Sequence, residues 1–334
     1  MTDSRTLAVE TLSYIEKNKK LPGKKLELAL KTLDLENKKF CTLLIMETLR
    51  KRLLIDHILL KFLKKPDNIP VFIKNVLRVG VTQLLFMDTI PGYAAVSEMV
   101  ELIKVKKFRG LVNAVLRKIN RKNFEFDDLP VQLRYSHPEW LYEYFLEHTY
   151  IEDVESLLIF NQSPPLHAVP PDYKDILDSE GYIYTECTYS GCFKIIEKPA
   201  TSGKIKHVDE LRYILKKMLD VPILNPKSTE LGRINEKPWL FHTLRAGDFI
   251  KSGENILSFL KSKRLPERFL FLSDTLTTEE NTDVVKELND YKSVNLEDRL
   301  MERNIKSRYD DYGNWLILPE TPRPAYVAYL MRSD

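Results

Sequence analysis

Glycine is scarce in this chain, with 11 among 334 residues, or roughly half of the usual 7%. Nucleotide-binding α/β domains use glycine where the backbone turns around a phosphate or closely approaches a ligand. Neither G-x-G-x-x-G nor G-x-x-x-x-G-K-[ST] occurs anywhere in the sequence. The two common glycine-rich phosphate loops are therefore excluded.

Cysteine and long apolar runs are scarce as well. The three cysteines, Cys41, Cys187 and Cys192, are too few for a disulfide framework. Cys187 and Cys192 have no second pair beside them and His207 stands alone, so we expect no metal site. No apolar run reaches the roughly 18–20 residues that span a membrane. The polar start "MTDSRTLAVETL" does not resemble a signal peptide, and we expect a cytoplasmic protein without membrane contact.

Charge is unevenly divided along the chain. Residues 1–123 contain 25 Lys and Arg against 12 Asp and Glu, a net charge of +13, whereas the whole chain carries +3. The remaining residues therefore carry a net charge of −10. A basic region of this kind indicates a polyanion partner such as nucleic acid, although a helical domain with many solvated lysines has the same composition.

Helical periodicity dominates residues 3–123. Apolar residues of "SRTLAVETLSYIEKN" share one helical face, and Ser4 is a candidate N-cap. The amphipathic run 34–63 predicts one bent helix or two helices that abut, and the more apolar run 70–88 predicts a helix in the middle of a bundle. Because strand alternation is missing, this region is predicted to be all-α.

The pattern changes after a helical and Pro-rich segment. Residues 181–196 are rich in Tyr, Thr and Ile, which predicts a pair of strands. A helix is predicted at 208–219, and short buried strands are predicted at "VPIL", "RFLFLS" and "YVAYLM". The chain is thus predicted to have three parts, a helical domain at 1–135, a linker at 136–173 and a mixed α/β domain at 174–334.

Three strings in or next to the basic region are long and distinctive enough to be compared with known sequence patterns. They are "MDTIPGYAAVSEMVELIK" (87–104), "FRGLVNAVLRKINR" (108–121) and "YSHPEWL" (135–141). Together they resemble the NusB-like RNA-binding domain at the amino terminus of the Sun/RsmB family of ribosomal RNA cytosine-5 methyltransferases. The resemblance implies an α+β multidomain protein, with an all-α NusB-like helical bundle followed by a reduced, Rossmann-type methyltransferase-like α/β domain.

The resemblance also implies an RNA-binding surface. Seven basic residues match or adjoin basic positions of the NusB-like pattern, namely Arg5, Arg50, Arg78, Arg117, Lys118, Arg121 and Lys122. Lys and Arg supply the phosphate contacts that dominate nucleic-acid affinity. Arg78 and Arg117 lie beside apolar residues within helices, so they have the alternative of pairing with Glu98 or Glu101 to hold the bundle together.

The Sun/RsmB catalytic domain is matched only in part. In that family a strand ends in T-C-S, and an E-E-N helix start follows. Aligning "FLSDTLTTEEN" (271–281) with this stretch places Asp274 at the nucleophilic cysteine. Aligning residues 220–241 with the family's D-A-P-C-S-G segment places Lys227 at the second cysteine. The resemblance therefore implies that both family cysteines are replaced.

The cofactor-binding part of that family is matched least. The family binds S-adenosylmethionine through a glycine-rich loop, of which Gly203 and Lys204 are the relics here, and another alignment leaves the loop missing altogether. Only the string "RYILKKMLDV" separates "VDEL" from the next strand, which is too short for the family's second and third βα units. We expect no cofactor to be bound.

Cytosine methylation at C5 requires a strong nucleophile, because the family's thiolate must first add to C6. A carboxylate at Asp274 is far weaker, and Lys227 has no cofactor to act with. The alternative for Asp274 is a helix cap or surface turn beside Thr275 and Thr277, where Glu280 favours the helix dipole.

The sequence therefore predicts an RNA-binding protein, with ribosomal RNA as the expected partner, that is a catalytically inactive homologue of the Sun/RsmB methyltransferases. One alternative is an active S-adenosylmethionine-dependent RNA cytosine-5 methyltransferase with a reorganised site. The other is a protein-interaction module in transcription or ribosome assembly, because NusB-like domains also bind protein partners. The oligomeric state is open as well.

Overall fold

The structure is a computed structural model. It describes residues 3–20, 22–149, 154–162, 167–186, 192–197, 215, 219, 222–224, 246–273, 277–295, 307–310, 314–317 and 325–333. The described residues form two compact units, one ending at Glu139 and the other beginning at Trp140. The three-part division predicted from the sequence stays a prediction.

The first unit is all-α, as the sequence predicts. Its helices are α1 (Ser4–Asn18), α2 (Lys24–Leu30), α3 (Leu35–Arg50), α4 (Arg52–Leu60), α5 (Val71–Phe86), α6 (Gly92–Glu101), α7 (Lys106–Asn120) and α8 (Val131–Arg134). The long amphipathic run is two abutting helices, α3 and α4, which meet at Lys51. No helix among the residues that the structure describes is long and apolar enough to cross a membrane.

Helix α5 lies in the middle of this bundle and packs against α1, α3, α4, α6 and α7. The apolar residues Val76, Leu77, Val79 and Val81 are completely buried along it. Gly80 lets α7 approach closely, because a Cβ atom there would lie 2.6 Å from Leu116 Cδ1. The predicted position of this helix in the bundle is confirmed.

The start of α1 differs from the prediction. Asp3, not Ser4, is the N-cap, and its side chain accepts hydrogen bonds from the backbone N–H groups of Arg5 and Thr6. Asp3 has the extended backbone of a cap residue, whereas Ser4 is already helical. The Ser4 hydroxyl is buried and donates to Asn37 of α3 instead.

The second unit combines helices with two small sheets. Its helices are α9 (Glu139–His148), α10 (Val154–Gln162), α11 (Lys174–Glu180), α12 (Ala246–Lys261) and α13 (Thr282–Lys286). Strands β1 (His167–Val169), β2 (Ile183–Glu186) and β3 (Phe193–Glu197) form an antiparallel sheet in the order β1-β3-β2. The predicted strand pair at 181–196 corresponds to β2 and β3.

The larger sheet contains β4 (Ile223–Leu224), β5 (Arg268–Ser273), β6 (Tyr291–Ser293), β7 (Ser307–Tyr309), β8 (Trp315–Ile317) and β9 (Ala325–Arg332). Its order is β4-β5-β9-β8-β7, and β6 also pairs with β9. Among the described strands of this sheet, β4 and β5 pair in parallel and the other pairs are antiparallel. The three short apolar strands predicted from the sequence are β4, β5 and β9. The helix predicted at 208–219 lies mostly outside the described residues.

Candidate nucleic-acid interface

A groove of about 720 Å³ lies between α6 and α7 in the first unit. Four cationic side chains line it, from Lys106, Arg109, Arg117 and Arg121, and the lining contains no Asp or Glu. Two amides, from Asn113 and Asn120, and the aromatic ring of Tyr93 lie among them. We call this the α6–α7 groove.

Helical periodicity places these cations together. Lys106, Arg109, Asn113, Arg117 and Asn120 recur every three or four residues along α7, so they share one face, which is exposed except for the half-buried Asn113. The adjoining face of the helix is buried in the bundle core and consists of Val112, Val115, Leu116 and Ile119. Burial of the apolar face therefore turns the basic face outward.

Two of the arginines are held in position. Arg117 Nε donates to Asn113 Oδ1 at 2.9 Å, and Arg109 Nε donates to the carbonyl oxygen of Val100 at 3.3 Å. Each contact uses one of the five guanidinium N–H donors. No hydrogen bond from their terminal nitrogens reaches the described part of the chain, so these donors are available to a ligand.

The electrostatics of α7 favour an anion in the groove. Lys106, Lys107 and Arg109 lie in the first turn of the helix, where no acidic residue is present. Cations at this end face the positive end of the helix dipole, which is unfavourable. A bound anion would be attracted both by these side chains and by the positive end of the helix dipole.

Tyr93 and Gly92 shape the other side of the groove. The Tyr93 side chain belongs to the first turn of α6 and is 78% exposed. A Cβ atom at Gly92 would collide with the side-chain oxygen of Asn120, so glycine lets the start of α6 pack against the end of α7. An exposed tyrosine at a basic groove offers a stacking surface for a nucleic-acid base.

The structure separates the seven predicted RNA-binding residues into three groups. Arg117 and Arg121 line the α6–α7 groove. Lys118 and Lys122 are exposed but do not line it, and Lys122 Nζ lies 5.6 Å from the centre of the Phe124 ring. The remaining three arginines make contacts inside the bundle.

Arg78 is the most enclosed of these three. It donates two hydrogen bonds to Asp56, at 2.6 and 2.9 Å, and one to Glu16 at 2.6 Å. Burial acts to raise the pKa of Glu16, but the charges of Arg78 and Arg52 outweigh it and leave that pKa below its usual value. The alternative of a pair that holds the bundle together therefore applies to Arg78, with Glu16 and Asp56 as partners instead of Glu98 or Glu101.

Arg50 and Arg5 are engaged in a similar way. Arg50 is buried, and its Nη1 atom lies 2.6 Å from Glu47 Oε1. Arg5 Nε donates to Gln83 Oε1 at 2.9 Å, and its guanidinium lies 5.0 Å from the centre of the Phe40 ring. We leave Arg50 and Arg78 out of the candidate interface because both are buried. Arg5 is left out because its side chain is only 18% exposed and its Nη1 atom also lies 4.0 Å from Glu98 Oε2.

Sequence reasoning missed Lys106, Arg109, Asn113 and Tyr93. The spacing of basic and amide residues in "KKFRGLVNAVLRKINR" carries the signal for the first three, because projection on a helix places them with Arg117. Tyr93 could not be found this way, because its exposure depends on how α6 packs.

The "SHP" part of "YSHPEWL" supports the bundle. Ser136 has a left-handed backbone (φ 58°), and its hydroxyl oxygen accepts a hydrogen bond from the backbone N–H of Leu53 at 2.9 Å. It thereby caps the start of α4 from a distant part of the chain. His137 is buried beside the carbonyl oxygen of Tyr135, and burial lowers its pKa to about 4.

The E-E-N segment in the second unit is tied to neighbouring helices. Glu279 Oε1 lies 2.6 Å from Nδ1 of His148 at the end of α9, and His148 stacks on Tyr144. Burial, followed by the hydrogen bond to Glu279, raises the pKa of Tyr144. Glu280 is buried and accepts hydrogen bonds from Ser252 and Thr277.

Glu280 therefore has a structural role, and its predicted effect on the helix dipole stays a prediction. Asn281, which makes no side-chain cap bond, precedes α13. The positions Lys227, Asp274, Gly203 and Lys204 lie outside the described residues, so the capping alternative for Asp274 stays a prediction. Cys187 and His207 lie outside them too, and the described part of the chain contains no metal-binding cluster of His, Cys, Asp or Glu.

Comparison with known proteins identifies the family of the amino-terminal domain. Residues 2–121 match the NusB family. The probable ribosomal RNA small subunit methyltransferase B of Bacillus subtilis is 28% identical over 193 residues, which are 53% of this chain and 43% of that protein. The ribosomal RNA small subunit methyltransferase B of Thermus thermophilus is 33% identical over 129 residues, which are 38% of this chain and 30% of that protein. The chain thus spans less than half the length of these curated relatives.

A solved structure shares the fold of both parts. The crystal structure of PH0851 superposes with a TM-score of 0.66 at 16% identity, and the match covers 98% of this chain and 99% of that one. The chain therefore carries an amino-terminal NusB-family domain and is related to the ribosomal RNA small subunit methyltransferase B (Sun/RsmB) proteins.

Proposed function

We propose that this protein binds RNA through the α6–α7 groove of its NusB-family domain. The observation that carries the proposal is the convergence of Lys106, Arg109, Arg117 and Arg121 on one groove without an acidic residue in its lining. Phosphate contacts by such side chains supply most of the non-specific affinity for nucleic acid. Arginine adds two-pronged hydrogen bonding to a phosphate group.

Ribosomal RNA is the proposed partner. The curated relatives carry ribosomal RNA in their names, and the NusB family match covers the helices that form the groove. The exposed Tyr93 ring and the amide groups of Asn113 and Asn120 supply stacking and hydrogen-bonding groups next to the phosphate contacts.

Salt-dependent RNA binding tests the groove. The wild-type chain and an Arg117→Ala/Arg121→Ala variant are titrated against a Bacillus subtilis small-subunit ribosomal RNA transcript over a range of salt concentrations. We expect the variant to bind at least roughly tenfold more weakly, with a salt slope smaller by about 1.5, because two phosphate contacts are lost.

A Lys61→Ala/Lys64→Ala variant is the matched control, since both lysines are exposed and lie outside the groove lining. It removes the same number of charges and should bind nearly as the wild type does. An equal loss of RNA affinity in the two variants would show that net charge, and not the groove, determines binding. RNA binding that neither variant weakens would exclude the groove.

We further propose that the protein does not transfer methyl groups. The support is the sequence alignment, which places Lys227 and Asp274 at the two family cysteines and leaves no intact glycine-rich cofactor loop. Without a thiolate, cytosine C6 is not attacked efficiently, and C5 stays a poor nucleophile. On this proposal the protein binds RNA but does not catalyse the reaction of the related enzymes.

Isothermal titration calorimetry with S-adenosylmethionine tests this second proposal. We expect no saturable heat at cofactor concentrations up to the millimolar range, and no transfer of a labelled methyl group to the same transcript. Micromolar binding together with methylated cytosine would establish the alternative, an active methyltransferase with a reorganised site.

A further inference from the structure

A second basic groove, of about 400 Å³, lies in the second unit. The end of α12, the segment before β5, the start of β6 and the end of β9 meet there. Its cationic side chains come from Lys261, Lys263, Arg264 and Arg332. We call it the β5–β9 groove, and its lining also contains Glu287 and Asp290.

Arg332 is held in a defined position at this groove. Its guanidinium lies 5.6 Å from the centre of the Tyr291 ring, and Nη2 donates to the Tyr291 hydroxyl at 3.1 Å. That hydroxyl in turn donates to the carbonyl oxygen of Pro266 at 3.0 Å. The pairing of Tyr291 with Arg332 between β6 and β9 fixes the backbone of both residues. Little side-chain freedom therefore remains for a ligand to restrict.

The positive charge of the groove is only partly neutralised. Lys261 pairs with Glu287 at 3.5 Å. Lys263, Arg264 and Arg332 are exposed, and the remaining carboxylate of the lining belongs to Asp290. Three cations that face one carboxylate repel one another, and a bound anion relieves that repulsion.

The location of the groove is informative in two ways. Residues 124–334 carry a net charge of −10, so a cationic groove here does not simply follow from local composition. The groove also lies at the Arg268 end of β5, since Leu265 lines it and Arg332 follows Met331, the partner of Arg268. The alignment places the family's reaction chemistry at the other end, after Ser273.

We propose that the β5–β9 groove is a second contact for the RNA backbone, which binds phosphate groups through Arg264, Arg332 and Lys263. This inference rests on the proposed function, because it extends one bound RNA to the second unit. A phosphodiester fits the groove because the planar guanidinium of Arg332 offers paired donors. Outside the lining, the 41% exposed ring of Phe259 lies 5.2 Å from Lys263 Nζ and offers an aromatic surface for a neighbouring base.

The test measures RNA binding by an Arg264→Ala/Arg332→Ala variant of the full chain, with the Bacillus subtilis small-subunit ribosomal RNA transcript as the probe. We expect a roughly tenfold loss of affinity and a salt slope smaller by about 1.5, because two phosphate contacts are removed. The control is Lys174→Ala/Lys251→Ala, which removes two exposed charges of the same unit outside the groove. It should leave the affinity within about twofold of the wild type.

A second variant separates a loss of RNA binding from a loss of folding. Lys263→Glu/Arg264→Glu changes only exposed side chains of the segment after α12, and it should weaken binding by more than the alanine variant does. Wild-type binding by both variants would overturn the inference. If the Arg117→Ala/Arg121→Ala variant still loses affinity in that case, the proposed function stands without the second contact. A wild-type chain that binds no RNA would overturn both proposals together.

Discussion

Arg78 and Arg117 lie on neighbouring helices of one basic domain, yet their guanidinium groups have opposite surroundings. Arg78 is buried among the carboxylates of Glu16 and Asp56, whereas Arg117 is exposed in a groove without acids. Both residues are arginines that lie within a helix beside apolar residues. The difference shows that helix phase and the location of acidic partners decide whether a basic residue stabilises the fold or is available to a ligand.

Replacing Arg78 gives the largest expected effect on the buried side of this comparison. Arg78→Ala leaves Asp56 and Glu16 without their main partner, and removal of one member of a buried pair typically costs 3–5 kcal/mol. We expect about 3 kcal/mol of unfolding free energy, near the lower limit, because both carboxylates are partly exposed. Urea denaturation measures it, and the RNA affinity of the folded variant should stay within about twofold. A selective loss of RNA affinity would instead place Arg78 in the interface.

Acid should weaken the same bundle through His137. Its folded pKa is about 4, below the usual 6.5, so the unfolded chain binds the proton more readily. The contribution of neutral His137 to the free energy of unfolding is therefore fully present above pH 6.5. It is lost as the pH decreases towards 4, which lowers the free energy of unfolding by up to about 3 kcal/mol. Urea denaturation from pH 7 to pH 4.5 measures this loss. A His137→Gln variant should show a flatter profile, and an unchanged profile would assign the acid sensitivity to other groups.

Ser136 offers a smaller effect on stability. Ser136→Ala removes the hydroxyl that caps α4 through Leu53, and loss of a cap costs about 1 kcal/mol. Thermal unfolding at neutral pH should show the decrease. Ser136→Asn keeps an acceptor and tolerates the left-handed backbone, so it should recover part of the loss. Equal stability of the alanine variant and the wild type would contradict a capping role.

Asn113 gives the smallest expected effect, and it lies on the groove side. Asn113→Ala removes the acceptor that holds Arg117 Nε, so Arg117 must be ordered when RNA binds. We expect RNA affinity to fall about threefold, with the salt slope nearly unchanged because no charge is removed. Unfolding free energy should change by less than about 0.5 kcal/mol, as is usual for surface substitutions. A large loss of stability would show that the asparagine supports the fold.

Much of the fold followed from local patterns. Periodicity in "VFIKNVLRVGVTQLLF" predicts a buried helix, and α5 is that helix because its largely apolar surface must be covered. The apolar string "RFLFLS" predicts a buried strand, which is β5. Ser4 was misassigned as a cap because the pattern could not show that Asp3 has the extended backbone and that Ser4 reaches Asn37 of α3.

The candidate interface followed from the sequence only in part. Arg117 and Arg121 were found because they belong to a string that resembles the NusB-like pattern. Arg5, Arg50 and Arg78 match that pattern equally well, yet their partners come from residues up to 78 positions away. Lys106 and Arg109 join the groove only when α6 packs against α7.

By itself the sequence determined the helical class of the basic domain, its relationship to the NusB-like pattern and the residue types at Lys227 and Asp274, because all of these depend on identity and spacing. The tertiary structure decided which basic residues share a surface. Only the packing of α1, α4 and α5 brings Glu16 and Asp56 to Arg78. The packing of α6 against α7 forms the α6–α7 groove, whose lining in the described part of the chain contains no acidic side chain. Partners in space decide the charge environment, because Coulomb energy depends on distance in space and not along the chain.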